Sequence, residues 1–108
     1  TLAHPRASRG MKQTTAQVLQ TLLAGVVEQG TGQEAASLGQ SAAGKTGTAQ
    51  TGQFCNGAEL KNFWFAGFFP AKEPRYTIVV LQDAQQSPAV SSAAIFARTA
   101  AGLEAFLL

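Results

Sequence analysis

The chain has 108 residues, is 45% hydrophobic, and carries a formal net charge of +2. That suffices for one small domain with a core, while a charge this small and this scattered gives no footing for nucleic acid. No apolar run is long enough to span a membrane, and no signal-peptide pattern is present.

Residues 1–13 read as an irregular arm with Pro5, Gly10 and several basic side chains, and His4 lies in it without a Ser or Cys partner. Thr14-Thr15-Ala16-Gln17 fits a capping box, with Thr14 as the cap. Val18, Leu19, Leu22, Leu23, Val26 and Val27 then follow helical spacing, which predicts a helix over 14–29 with one face on a core. Gly30 is its stop. A small, polar loop over 30–43 leads to three strands within 44–82. Asn56-Gly57 is a two-residue hairpin signal joining a strand that ends near Phe54 to one over 58–69. In the second strand Phe63, Phe65 and Phe69 alternate with Trp64, Ala66 and Phe68, so both sets are apolar and a strand covered on both faces is expected. Those aromatics therefore read as core and not as a ligand-stacking set. After the turn from Pro70 to Pro74, a third strand over 75–82 is again apolar on both faces. Ser91 or Ser92 caps a last helix over 91–107, with Ile95, Phe96, Leu103, Phe106 and Leu107 as its buried side. The fold class is α+β, an antiparallel sheet with flanking helices. Cys55 is the only cysteine and has no His beside it, so it reads as a bystander thiol.

The stretch Gly39 to Gln50 fits two unrelated patterns. From Gly39 it is G-x-x-x-x-G-K-T, a phosphate-binding string. From Lys45 it is Lys-Thr-Gly-Thr, a lysine-bearing strand motif. A phosphate loop needs a buried strand before it and a helix after it. Gly30 to Leu38 contains no β-branched apolar run, and Gly47, Gly52 and Gly57 follow, which is poor helix material. An edge strand fits better. Alternation then puts Thr46 and Thr48 on one face and Lys45 and Gly47 on the other. Two hydroxyls, one cation and a bare glycine on an edge can pair with an extended peptide and hold its carboxylate.

Three more pieces follow in order: Gly30-Thr31-Gly32 before the motif, Trp64-Phe65-Ala66-Gly67-Phe68-Phe69-Pro70 after it, and then Pro74-Arg75-Tyr76-Thr77-Ile78-Val79-Val80. From about Thr14 to the C-terminus this order resembles the transpeptidase domain of penicillin-binding proteins, nearest the class B branch. The resemblance implies the C-terminal part of a β-lactamase/transpeptidase-like fold. It also implies an antiparallel sheet whose motif strand is an edge and whose last strand pairs with one from the N-terminal part of the domain. By the same resemblance, Lys45 is the lysine that places positive charge in the cleft and supports proton movement. Thr46 and Thr48 hold the substrate carboxylate, and the Thr48 N–H is an oxyanion donor. Gly47 gives room for the substrate backbone, and Gln50 lines the cleft or is a solvated strand end.

The family's nucleophile lies in Ser-x-x-Lys and a second hydroxyl in Ser-x-Asn. None of Ser8, Ser37, Ser41, Ser87, Ser91 and Ser92 fits either pattern. The expectation is a C-terminal segment, inactive alone, of a serine D,D-transpeptidase. Such a parent cross-links peptidoglycan stem peptides ending in D-Ala-D-Ala and binds β-lactams. It works at the extracytoplasmic face of the bacterial membrane and needs no cofactor or metal. The segment would need the N-terminal remainder of its domain and would self-associate without it. Two rivals stay open: a non-catalytic binding or structural module, and nucleotide binding with a helix starting at Lys45.

Overall fold

The computed structural model describes residues 7–107, with the side chains of 7–106. His4 and the Leu107 side chain lie outside these. The elements are helix α1 (Gln13–Gln29), a 3-10 turn (Gln33–Ala36), strands β1 (Ala43–Cys55), β2 (Ala58–Phe69) and β3 (Tyr76–Gln85), and helix α2 (Ser92–Leu107). The strands form one antiparallel sheet in the order β1-β2-β3, so the chain is α+β with the motif strand on an edge. Asn56 (φ 53°) and Gly57 (φ 82°) make the β1–β2 turn. Positive φ at both central residues matches the right-handed twist of the strands they join.

One face of the sheet carries the core. Phe65, Phe69 and Phe96 are its largest fully buried side chains. The Phe65 and Phe96 rings lie 4.9 Å apart, and Phe69 meets Phe96 edge-on at 6.2 Å. Burying each such ring stabilises the fold by roughly 1.5–3 kcal/mol. Ala93, Ala97 and Ala100 line the buried side of α2 and let it lie close to the strands. Gly44 and Gly67 face each other across β1 and β2 under the Phe65 ring. A Cβ at Gly44 would stand 2.6 Å from Phe65 Cζ, and one at Gly67 would stand 2.7 Å from Phe65 Cε2. The glycine pair is the hollow that the ring fills.

The other face is left largely open among the described residues. Trp64, Ala66, Val79 and Leu81 lie on it exposed, Val79 at 58% and Leu81 at 45%. This corrects the expectation that β2 is covered on both faces, since alternation reports apolar faces and not what lies against them. Three details of the helices also differ from expectation. Lys12, not Thr14, precedes the first turn of α1, and no side chain caps it. Val27 is the buried residue of α1 while Leu22 is 61% exposed, so only the last turn of this helix reaches the core. The helix is held elsewhere by Gln20 Nε2, which donates to the Ala71 and Lys72 carbonyls of the β2–β3 turn. Phe106 is 85% exposed and not buried, because it lies outside the arc of α2 on which Phe96, Ala100 and Leu103 pack. Ser91 is the α2 cap, its Oγ accepting the Ala94 N–H at 3.0 Å.

Candidate functional site

The first half of the motif is anchored and its second half is presented. Ala43 and Gly44 are buried in the core, whereas Lys45, Gly47 and Thr48 are exposed. The register places Thr46 opposite Phe65 and Thr48 opposite Phe63, on the face that α2 covers. Lys45 opposes Ala66 and Gly47 opposes Trp64 on the open face. Among the described residues no strand pairs with the outer side of β1. Its outward backbone groups are therefore available to an extended ligand.

A cavity of about 280 Å³ opens beside the strand. Thr46, Gly47 and Thr48 line one side of it, Thr31 and Glu34 a second, and Pro88, Ser91 and Ser92 a third. Phe63, Trp64 and Gln82 also contribute to its lining. Lys45 is not among the lining residues, but its Nζ donates to the Thr46 carbonyl at 3.0 Å and stands 3.5 Å from Thr46 Oγ1. Thr46 Oγ1 is in turn 3.3 Å from Thr31 Oγ1. One cation and two hydroxyls thus form a short polar chain at the strand edge. Gly47 has open space at its Cβ position, the nearest atom being Trp64 Cβ at 3.8 Å. Gln50 lies outside the cavity, at the last regular pair before the β1–β2 irregularity.

Thr31, Glu34, Gln82 and Ser92 were not singled out as site residues by motif reasoning. The Gly-Thr-Gly around Thr31 was a signal for the first of them. The others reach the cleft only through tertiary contact. Among the described residues no cluster of His, Cys, Asp or Glu is grouped for a metal ion. The phosphate-loop reading fails on geometry. Lys45 to Thr48 is strand and not a helix start, and Gln33 to Ala36 before Gly39 is a 3-10 turn and not a strand.

A lysine-threonine-glycine-threonine edge strand on a helix-backed antiparallel sheet is the arrangement of the transpeptidase class. The family model described as the penicillin binding protein transpeptidase domain matches residues 3–101. The chain is also 38% identical, over 114 residues, to penicillin-binding protein PbpB of Mycolicibacterium smegmatis. That match covers 92% of this chain and 18% of the relative, so the chain spans under a fifth of that protein's length. The chain belongs to the penicillin-binding protein transpeptidase domain family.

Proposed function

We propose that the chain is the C-terminal segment of a serine D,D-transpeptidase domain, of the class B branch, that cross-links peptidoglycan stem peptides and is acylated by β-lactams. The observation that carries this reading is the Lys45-Thr46-Gly47-Thr48 run, exposed but for half-buried Thr46, on a sheet edge unpaired among the described residues and beside a cavity. An acyl-D-alanyl-D-alanine strand adds along β1, and bare Gly47 admits its backbone. The Thr46 and Thr48 hydroxyls hold its carboxylate, and the Lys45 charge adds to that attraction. The Thr48 N–H is one oxyanion donor. The attacking serine and the second oxyanion donor come from a Ser-x-x-Lys segment, which is not among these 108 residues. Gln50 is assigned to the outer end of the same ligand track. The partners are the stem peptide, β-lactams and the remainder of the same domain, and the place of action is the extracytoplasmic face of the bacterial membrane.

The test is Lys45→Ala in the complete enzyme that carries this segment. Lys45 is exposed, so its truncation removes charge and not packing. Loss of one such electrostatic group is typically worth about 10²–10³ in rate, and β-lactam acylation should slow accordingly in a folded variant. Unchanged acylation would refute the role of Lys45 and favour a binding module without chemistry.

A further inference from the structure

Ser92 is buried, at 5% exposure, and none of the chemistry above uses it. Its Oγ lies 2.8 Å from the Phe63 carbonyl and 2.8 Å from Gln82 Oε1. Its single proton is therefore shared between two acceptors. The orientation of the Gln82 amide is set by its other end, where Nε2 donates to the Val90 carbonyl at 3.1 Å. Phe63 pairs with Thr48 on one side and with Gln82 on the other. Ser92 is thus fastened to the same cross-strand rung that carries Thr48. Val90, which Gln82 holds, belongs to the connection between β3 and α2. In that connection Pro88 and Ser91, with Ser92 at the start of α2, form the cavity wall facing the motif strand.

The other end of this connection is tied down separately. The Ala84 N–H donates to Asn62 Oδ1 at 2.9 Å, and Gln86 Nε2 donates to the Cys55 carbonyl at 2.7 Å. These anchors and the Val90 bond hold the connection at both of its ends. A buried polar group with its partners satisfied serves to fix one arrangement, and its loss leaves those partners stranded.

We propose that Ser92 and Gln82 are positioning residues that set the width of the cleft beside Thr48, and so the binding of the ligand part lying between the motif strand and the 86–91 connection. The inference rests on the proposed role of the Lys45–Thr48 strand. Neither side chain contacts Lys45, whose Nζ is engaged by Thr46. The wall meets the ligand alike before and during acylation. Loosening it therefore removes uniform binding and leaves the chemical step in place.

The experiment uses the complete enzyme and a chromogenic β-lactam, and separates the dissociation constant of the initial complex from the limiting acylation rate. Ser92→Ala is expected to raise the dissociation constant roughly three- to tenfold, the worth of a hydrogen bond or two, with the limiting rate within about twofold. Gln82→Met, at a half-buried position, is expected to do the same, and it carries the test if Ser92→Ala does not fold. Amide hydrogen exchange over residues 86–91 should quicken in both variants. An unchanged dissociation constant, unaltered exchange, or a fall in limiting rate equal to that of Lys45→Ala would overturn the proposal. A Lys45→Ala variant with an unaltered limiting rate would instead overturn the underlying reading of the site.

Discussion

The two glycines of the motif strand do opposite things, and substituting each with alanine separates packing from ligand access. At Gly44 a methyl group would meet the Ala66 carbonyl oxygen and Phe65 Cζ at 2.6 Å, and Gly67 Cα at 2.8 Å. Two of these atoms are backbone in the neighbouring strand, so the pair must move apart. Gly44→Ala is expected to cost about 1–3 kcal/mol, the usual range for overpacking, measured by urea denaturation of the complete enzyme. At Gly47 the same methyl group meets nothing closer than 3.8 Å, so the fold should be unaffected. It would, however, stand on the strip where an extended ligand is proposed to lie. Gly47→Ala should therefore leave the denaturation midpoint in place and weaken acylation by penicillin. Equal stability losses in the two variants would contradict the geometry. Thr31 shows the limit of motif logic at this scale. Its sequence marks a helix end, and only the fold sets its hydroxyl 3.3 Å from that of Thr46.

Helix α2 buries one narrow face, made of Ala93, Phe96, Ala97 and Ala100 with Leu103 packed against it. Helical spacing predicted Phe96 and Leu103 correctly. It also placed Phe106 in the core, where the structure leaves it exposed. The packed arc runs through Ala93, Phe96, Ala97, Ala100 and Leu103, and at about 3.6 residues per turn Phe106 falls outside it. The contrast is measurable. Phe96→Ala should cost about 3–5 kcal/mol, as expected for removing a ring that touches two others. Phe106→Ala should stay within about 0.5 kcal/mol as a surface change. A large loss at Phe106 would mean that this helix end is covered by something these residues do not include. Helix α1 carries the same lesson further. Its Val18, Leu19 and Leu22 keep helical spacing yet stand exposed, because only the turn at Val26 and Val27 meets the sheet core.

For the molecule as a whole, the open sheet face decides behaviour. Trp64, Val79 and Leu81 are exposed on adjoining strands, and β3 has no strand on its outer side among the described residues. An unpaired apolar edge templates association with another chain. Expressed alone, these 108 residues are expected to self-associate, with light scattering that rises with concentration. A well-folded monomer at high micromolar concentration would show that the face is tolerated by water. The same preparation should give no covalent penicillin adduct by intact mass, since no serine in it is followed by lysine three positions on. A stoichiometric adduct would place the nucleophile within these residues and undo the proposed division of the site.

Local rules were enough to specify the β1–β2 turn, where Asn56-Gly57 supplies the positive φ values that a two-residue connection demands. They also specified the edge strand, because Lys45 to Thr48 alternates like a strand and lacks the neighbours of a phosphate loop. Period-two alternation correctly separated Thr46 and Thr48 from Lys45 and Gly47, since a strand's pleat leaves no other choice. What surrounds these elements followed from tertiary structure alone. One apolar face of β2 met α2 while most of the other stayed open among the described residues, although both look equally apolar in sequence. Ser92, Gln82 and Val90 became one hydrogen-bonded unit only once β3 had folded back beside β2 and α2 had crossed over Phe63. A polar side chain carries no mark of its eventual partner, because that partner is chosen by the meeting of distant segments and not by local spacing.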